Sequence, residues 1–182
     1  LADIYGGGKN LGDVKFDMVT TTPQSTQSQT ATVYWENFGV ANQMKFRMDM
    51  SQEGSTMEYL VDYSTETAYM YTPATNTAYK ISLSQAPSNP LQNADQIHPT
   101  YLGTDTVDGN LCDVWQWTTQ VTGVGTSTSK VWIWKAKSFP VKMELTDSSG
   151  TTTIEYQNIV FGTLDPSLFE LPAGVTITTF PS

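Results

Sequence analysis

The sequence is short of the residues from which catalytic and metal centres are usually built. Cysteine and histidine occur once each, as Cys112 and His98, and Arg47 is the only arginine among nine basic residues. A single cysteine excludes an internal disulfide and a cysteine-built zinc centre. His98 stands before Pro99 with no second histidine in the chain, so it offers neither a usual metal site nor a catalytic triad. Nine basic residues against eighteen acidic ones give a formal charge of -9. A phosphate-tracking protein needs a basic face, so nucleic acid is excluded as a partner. No run approaches the roughly 20 apolar residues of a membrane-spanning helix. Gly6-Gly7-Gly8 lacks the preceding strand that a phosphate loop requires. Asp105, Asp108 and Asp113 surround a hairpin turn, where aspartate serves turn geometry. The chain is therefore expected to be no enzyme, with no catalytic residues, no cofactor and no metal.

What remains is aromatic. The 182 residues include seven Phe, five Trp and nine Tyr at a mean hydropathy of -0.30. This is enough chain for one domain, spanning 1–182, with a core built more of rings than of aliphatic side chains. The chain opens at Leu1 in what reads as the end of a short helix, stopped by Gly6–Gly8, and an N-terminal leader or anchor is expected to have been removed. Abundant threonine with few basic residues is a surface style common among exported β proteins.

The organising stretch is Met44–Leu83. With period two, Met44, Phe46, Met48 and Met50 fall on one side of a strand, and Lys45, Arg47 and Asp49 on the other. Ser51–Ser55 returns the chain into Met57, Tyr59, Val61 and Tyr63. Ser64-Thr65-Glu66 turns it into Thr67–Thr72, and Pro73–Asn76 into Thr77–Leu83. Loop length suggests Met48 opposite Tyr59, Phe46 opposite Val61, Tyr59 opposite Tyr71, and Tyr71 opposite Tyr79. One continuous apolar face follows, in which Phe46, Met48, Met57, Tyr59, Val61, Tyr69, Tyr71, Tyr79 and Ile81 are the candidate wall of a hydrophobic cavity. Arg47, on the back, lies diagonal to Glu58 and Asp62, which predicts a cross-strand ion pair; a hydrogen bond to a lid is the sharper reading.

Further strands are expected at Val14–Thr20, Thr30–Asn37, Tyr101–Val107, Asn110–Thr119, Ser129–Lys135, Val141–Thr146 and Thr151–Phe161, with Met143 facing Ile133 and Ile154. Asp108-Gly109 is a strong two-residue hairpin signal. Ser84–Pro99 carries three prolines. Within it Asn89-Pro90 opens a short helix to Ile97, with Leu91, Ala94 and Ile97 at helical spacing, a candidate lid with Leu91 and Ile97 as its contacts. Asp165-Pro166 caps a helical turn through Phe169. Trp35, Trp115, Trp117, Trp132 and Trp134 read as core or as a second packed layer, and Cys112 as a small buried hydrophobe. About eleven antiparallel strands with short helical pieces allow a sandwich, a closed barrel or a single strongly curved sheet, and the pattern favours the curved sheet. The Met/Tyr face is then either ordinary core or a cavity for a flexible apolar ligand such as an acyl chain. Methionine adapts to irregular shapes and tyrosine adds a polar rim, and the shortage of helix to cover the face favours the cavity.

Several segments in succession resemble a known superfamily. They are Val14-Lys15-Phe16-Asp17-Met18-Val19, Met44–Asp49, Ala78-Tyr79-Lys80, Val107–Trp115, Lys130–Trp134, Phe139-Pro140-Val141-Lys142 and Asp165–Pro172. Their order and spacing are similar to the outer-membrane lipoprotein carrier (LolA/LolB-like) superfamily, including the LppX/LprG-like lipid carriers. The resemblance implies a half-barrel of eleven antiparallel strands whose short helices plug an apolar concave face. It implies an extracytoplasmic protein, periplasmic or lipid-anchored to the cell envelope, that holds a lipid, an acyl chain or a lipoprotein without enzymatic activity. In that superfamily an arginine on an early strand holds the lid, and Arg47 is similar in position. The alternative is an envelope structural or interaction protein whose core is filled by its own side chains, with an envelope protein as partner.

Overall fold

The computed structural model describes residues 10–40, 42–52, 54–86, 97–121 and 125–179. These residues are mainly β and contribute twelve strands to one open sheet. They are β1 (Val14–Thr21), β2 (Gln29–Glu36), β3 (Lys45–Gln52), β4 (Ser55–Asp62), β5 (Thr67–Thr72), β6 (Thr77–Ile81), β7 (Thr100–Val107), β8 (Asn110–Val121), β9 (Gly125–Trp134), β10 (Phe139–Asp147), β11 (Gly150–Phe161) and β12 (Thr176–Thr179). Their order is β12-β6-β5-β4-β3-β2-β1-β11-β10-β9-β8-β7. The eleven expected strands are present. The twelfth, β12, has no counterpart among them and runs parallel to β6. The expected helix at Pro90–Ile97, with Leu91, lies outside the described residues except for Ile97.

The chain divides into two compact units. One comprises Lys9–Asp17, Ala31–Gln92 and Asn158–Ser182; the other holds Met18–Thr30 and Asn93–Gln157. The first has its core on one face of β2–β5. Val33 opposes Met48, and Trp35 opposes Phe46, which in turn opposes Val61 and, beyond it, Ala68. Trp35 packs edge-on to Phe38 at 5.6 Å, tilts over Phe46 at 4.6 Å and stacks on Tyr63 at 6.1 Å. Each such ring fully removed from water contributes roughly 1.5–3 kcal/mol. Burial around this cluster pushes the Tyr63 hydroxyl up to about 12.

The register of the meander corrects two expected pairings. Tyr59 opposes Met70, not Tyr71, and Tyr71 opposes Ala78, not Tyr79. The cause of the first is the Asp62 side chain. Its Oδ1 accepts from Ser64 N at 2.8 Å, from the Ser64 hydroxyl at 2.6 Å and from Thr65 N at 3.2 Å. This Asx turn draws Tyr63 into a four-residue loop, so the strands close on Asp62–Thr67. A one-residue slip moves every side chain to the opposite face. The second loop is the 3-10 turn Pro73–Thr75, ended by Asn76 in the left-handed conformation (φ 50), and it closes on Thr72–Thr77. Tyr69 and Tyr71 therefore lie on the back of the sheet, and Met70 takes their place on the front beside Tyr79.

The back face has a cover of its own. Leu60, Tyr71 and Ala78 form a small buried core with Tyr69, and Leu171 and Val175 of the C-terminal segment pack against it. The Tyr71 hydroxyl donates to Asn76 Oδ1 at 3.1 Å, and Asn76 Nδ2 donates to the Gly174 carbonyl at 3.0 Å. Asp165 caps the expected turn Pro166–Phe169 by accepting from Ser167 N.

In the second unit, β7–β11 bury Cys112, Val114, Val131, Trp132, Ile133, Phe139 and Val141. Of the tryptophans, Trp35 and Trp132 are core, and Trp115, Trp117 and Trp134 are half-buried. Trp132 Nε1 donates to Asp105 at 3.0 Å, which satisfies its one polar atom. The Asp108-Gly109 hairpin closes on Val107–Asn110 with both turn residues at positive φ (48 and 78), as a type I′ turn requires. Met143 faces Ile154 as expected, but on its other side it faces Val131 rather than Ile133. The cause is the preceding loop, which closes on Trp134–Phe139 and by itself would set Met143 against Lys130. A bulge between Pro140 and Lys142 inserts one residue into β10 and moves Met143 back by one, to Val131.

Candidate functional site

The front of β2–β6 holds the candidate site, and its rows run across the strands. The first is Trp35, Phe46, Val61, Ala68 and Ile81, the second Val33, Met48, Tyr59, Met70 and Tyr79, and the third Ala31, Met50 and Met57. Burial falls from the first row to the third, although Ile81 at the β6 end of the first is half-buried and Ala31 at the β2 end of the third is buried. Trp35, Phe46, Val61 and Ala68 are all below 5% exposed, sealed by the ring cluster. In the second row Val33 and Met48 are buried, whereas Tyr59, Met70 and Tyr79 are half-buried; in the third Met50 and Met57 are half-buried. The face is closed at its Trp35 end and apolar but incompletely covered at its methionine end.

The sequence-derived wall is thus only partly one surface. Phe46, Met48, Met57, Tyr59, Val61, Tyr79 and Ile81 share the front. Tyr69 and Tyr71 do not; they belong to the back core. Met70 escapes the sequence pattern because its place depends on the Asp62 turn, whose signal is the spacing Asp62-Tyr63-Ser64. Val33 and Trp35 escape it because they belong to the neighbouring strand β2.

Arg47 sits behind this wall, between Met48 and Phe46 along β3. Its Nε and Nη2 grip Asp49 at 2.7 and 3.1 Å, and Nη2 also reaches Glu58 at 3.0 Å. Nη1 donates to the Leu168 carbonyl at 3.2 Å. The cross-strand pair with Glu58 is as expected. Arg47 also holds a covering segment, but that segment is the C-terminal turn on the back. The guanidinium lies 5.7 Å from the centre of the Tyr34 ring. Burial works against the Arg47 charge, yet Asp49 and Glu58 outweigh it and hold its pKa above the ordinary value. The Glu58 pKa is raised as well, which for a carboxyl disfavours the charge: burial raises it, Arg47 offsets this only in part, and Asp49 adds to the rise.

His98 is exposed and Ile97 half-buried. Cys112 is fully buried, and burial pushes its thiol up, which is the opposite of what a reactive thiol needs. Among the described residues no three His, Cys, Asp or Glu side chains are grouped so as to hold a metal ion. No helix among them is long and apolar enough to cross a membrane.

No family model and no curated protein sequence matches the chain. Solved structures do. An uncharacterized conserved protein from Thermus thermophilus superposes with a TM-score of 0.66 at 13% identity, over 97% of this chain and 95% of the other. The lipoprotein LppX of Mycobacterium tuberculosis gives 0.56 at 14% identity, over 90% and 94%. The chain shares the fold of these two proteins. The same fold is found in MucB, solved in the Pseudomonas aeruginosa MucA/MucB complex, with a TM-score of 0.63 at 13% identity. There the match spans 97% of this chain but 62% of the other, so much of that protein has no counterpart here.

Proposed function

We propose that this protein is an extracytoplasmic, non-enzymatic binding protein that holds a lipid or acyl chain against the front of β3–β6. The observation that carries the reading is the burial gradient, with a sealed ring cluster at one end and half-covered Met50, Met57, Tyr59, Met70 and Tyr79 at the other. A flexible chain laid along these residues would finish their burial. Methionine follows the shape of an irregular apolar ligand, and the tyrosine hydroxyls tolerate a wet rim. At roughly 0.8 kcal/mol per buried methylene, ten methylenes supply about 8 kcal/mol before the costs of association. The shared fold with LppX, a lipoprotein, is in keeping with a place at the cell envelope, where such ligands occur.

The second reading is an envelope interaction protein with a self-filled core. The sealed Trp35 end favours it, as does the presence of this fold in MucB bound to MucA. Gently purified protein examined by native mass spectrometry, followed by uptake of a fluorescent fatty acid by the delipidated chain, separates the two. The first reading expects co-purified lipid, saturable uptake, loss of uptake in Met57→Lys and retention in Lys80→Glu, which changes the back of the sheet. No lipid and no uptake would leave the interaction reading standing.

A further inference from the structure

Met48, Met50 and Met57 are three of the seven methionines in the chain, and the hairpin β3–β4 gathers them on one patch. Met50 and Met57 oppose each other directly, and Met48, one step along the same face of β3, opposes Tyr59. Opposed side chains in an antiparallel pair start about 4.5–5.5 Å apart and diagonal ones about 7–8 Å apart. Three unbranched side chains, each with three rotatable bonds, can bring their sulfurs together over such spans. The patch is not sealed, because Met50 and Met57 are half-buried. On its β2 side Met50 faces only Ala31, a small residue.

We propose that this patch is a soft-metal site that takes up one Cu(I) through the thioethers of Met48, Met50 and Met57. Thioethers are soft, uncharged ligands that select Cu(I), whereas hard divalent cations prefer oxygen and zinc prefers thiolate or imidazole. Three neutral ligands leave the bound ion with a single positive charge, a modest desolvation load for a half-buried position. Tyr59, opposite Met48 and two residues beyond Met57, brings an aromatic ring beside the patch, a side chain able to stabilise that charge through its face. The chain's formal charge of -9 raises the concentration of cations around it. The site contains none of the residues used for ordinary metal centres, and it does not depend on an acyl ligand.

The full chain is titrated without oxygen against Cu(I) presented as its bicinchoninate complex. In parallel, Ag(I) is added while the methionine ε-methyl signals are followed by NMR. One Cu(I) per chain should leave the probe, and the signals of Met48, Met50 and Met57 should move while those of Met18 and Met143 stay. The double variant Met50→Leu/Met57→Leu conserves volume and apolarity. It should weaken Cu(I) binding at least tenfold while keeping its thermal transition. Absence of transfer from the probe, equal binding by the double variant, or shifts confined to other methionines would overturn the proposal. Absence of fatty-acid uptake by the unaltered chain alongside intact Cu(I) transfer would count against the lipid reading alone.

Discussion

Replacing Arg47 by Met should destabilise the protein through electrostatics more than through packing. Arg47 is held by four hydrogen-bonding or ionic contacts to three groups: Asp49 twice, Glu58 and the Leu168 carbonyl. The side chains of Arg47, Asp49 and Glu58 are 17, 23 and 12% exposed, so solvent screens the cluster only in part. Breaking a fully buried pair costs about 3–5 kcal/mol, and an exposed pair is worth about 0–1. This intermediate case should cost about 2 kcal/mol, most of it from Asp49 and Glu58 facing each other unneutralised across β3 and β4. Glu58→Gln alone should be nearly neutral, because burial already disfavours the charged form of Glu58. Combined with Arg47→Met, it should recover about 1 kcal/mol, a coupling that a double-mutant cycle in urea resolves. Arg47→Met should also speed proteolytic cleavage within Pro166–Thr179, since the Leu168 anchor is gone. Equal loss of stability in Arg47→Met and in the double variant would refute the repulsion argument. Unchanged proteolysis would refute the anchoring argument.

The pH dependence should carry two opposed contributions. Burial pushes the Asp62 carboxyl up, but the hydrogen bonds from Ser64 and Thr65 outweigh it and leave its pKa below the ordinary 3.8. Its stabilisation is therefore present above that value and lost as pH falls through the lower, folded-state value. Glu58, raised above 4.5, contributes stability below 4.5 that is lost as pH rises through its folded-state value. Glu58→Gln should flatten the unfolding free energy between about pH 4.5 and neutrality, and Asp62→Ala should remove part of the acid limb while costing about 1–2 kcal/mol. Trp35→Ala should cost about 3–5 kcal/mol, a fall of roughly 6–20 °C in Tm by calorimetry at 2–4 °C per kcal/mol for a chain of this size. Gly150→Ala should cost about 1–3 kcal/mol by urea denaturation. Gly150 sits at φ +126, and an added Cβ would stand 2.7 Å from the Pro23 Cβ.

Strands are legible in the sequence wherever one face is buried and the other wet. In β2, Ala31, Val33 and Trp35 alternate with Thr32, Tyr34 and Glu36, and the buried set follows the same period. The hairpin at Asp108-Gly109 is legible because two residues at positive φ leave few alternatives. Features that depend on distant parts of the chain are not. β12 is four exposed residues whose pairing with β6 is set by the anchoring of Val175 and Gly174 onto the back core, and nothing local in Thr176–Thr179 announces it. The bulge in β10 follows from Pro140, which cannot donate to a ladder; the residue is visible in the sequence, but the direction of the shift is not.

At β5 the sequence pattern misplaces the site for a physical reason. Thr67-Ala68-Tyr69-Met70-Tyr71-Thr72 is apolar at four consecutive positions because each of its faces buries a residue, Ala68 on the front and Tyr71 on the back, where Leu171 and Val175 pack. A strand buried on both sides loses the alternation that identifies its inward face. Its register then rests on the turns alone, and the decisive atom is the Asp62 carboxylate oxygen that lengthens the preceding loop by one residue. Two tyrosines leave the front and one methionine enters it, so the surface offered to a ligand is softer and carries fewer hydroxyls than the sequence suggests. The back of the same strand acquires a tyrosine whose hydroxyl is satisfied by Asn76, the residue that also fastens the C-terminal segment. A single turn thus sets the composition of the front wall and the attachment of the back cover. Asp62→Ala should therefore affect both fatty-acid uptake and cleavage of the C-terminal segment, whereas Lys80→Glu should leave uptake unchanged.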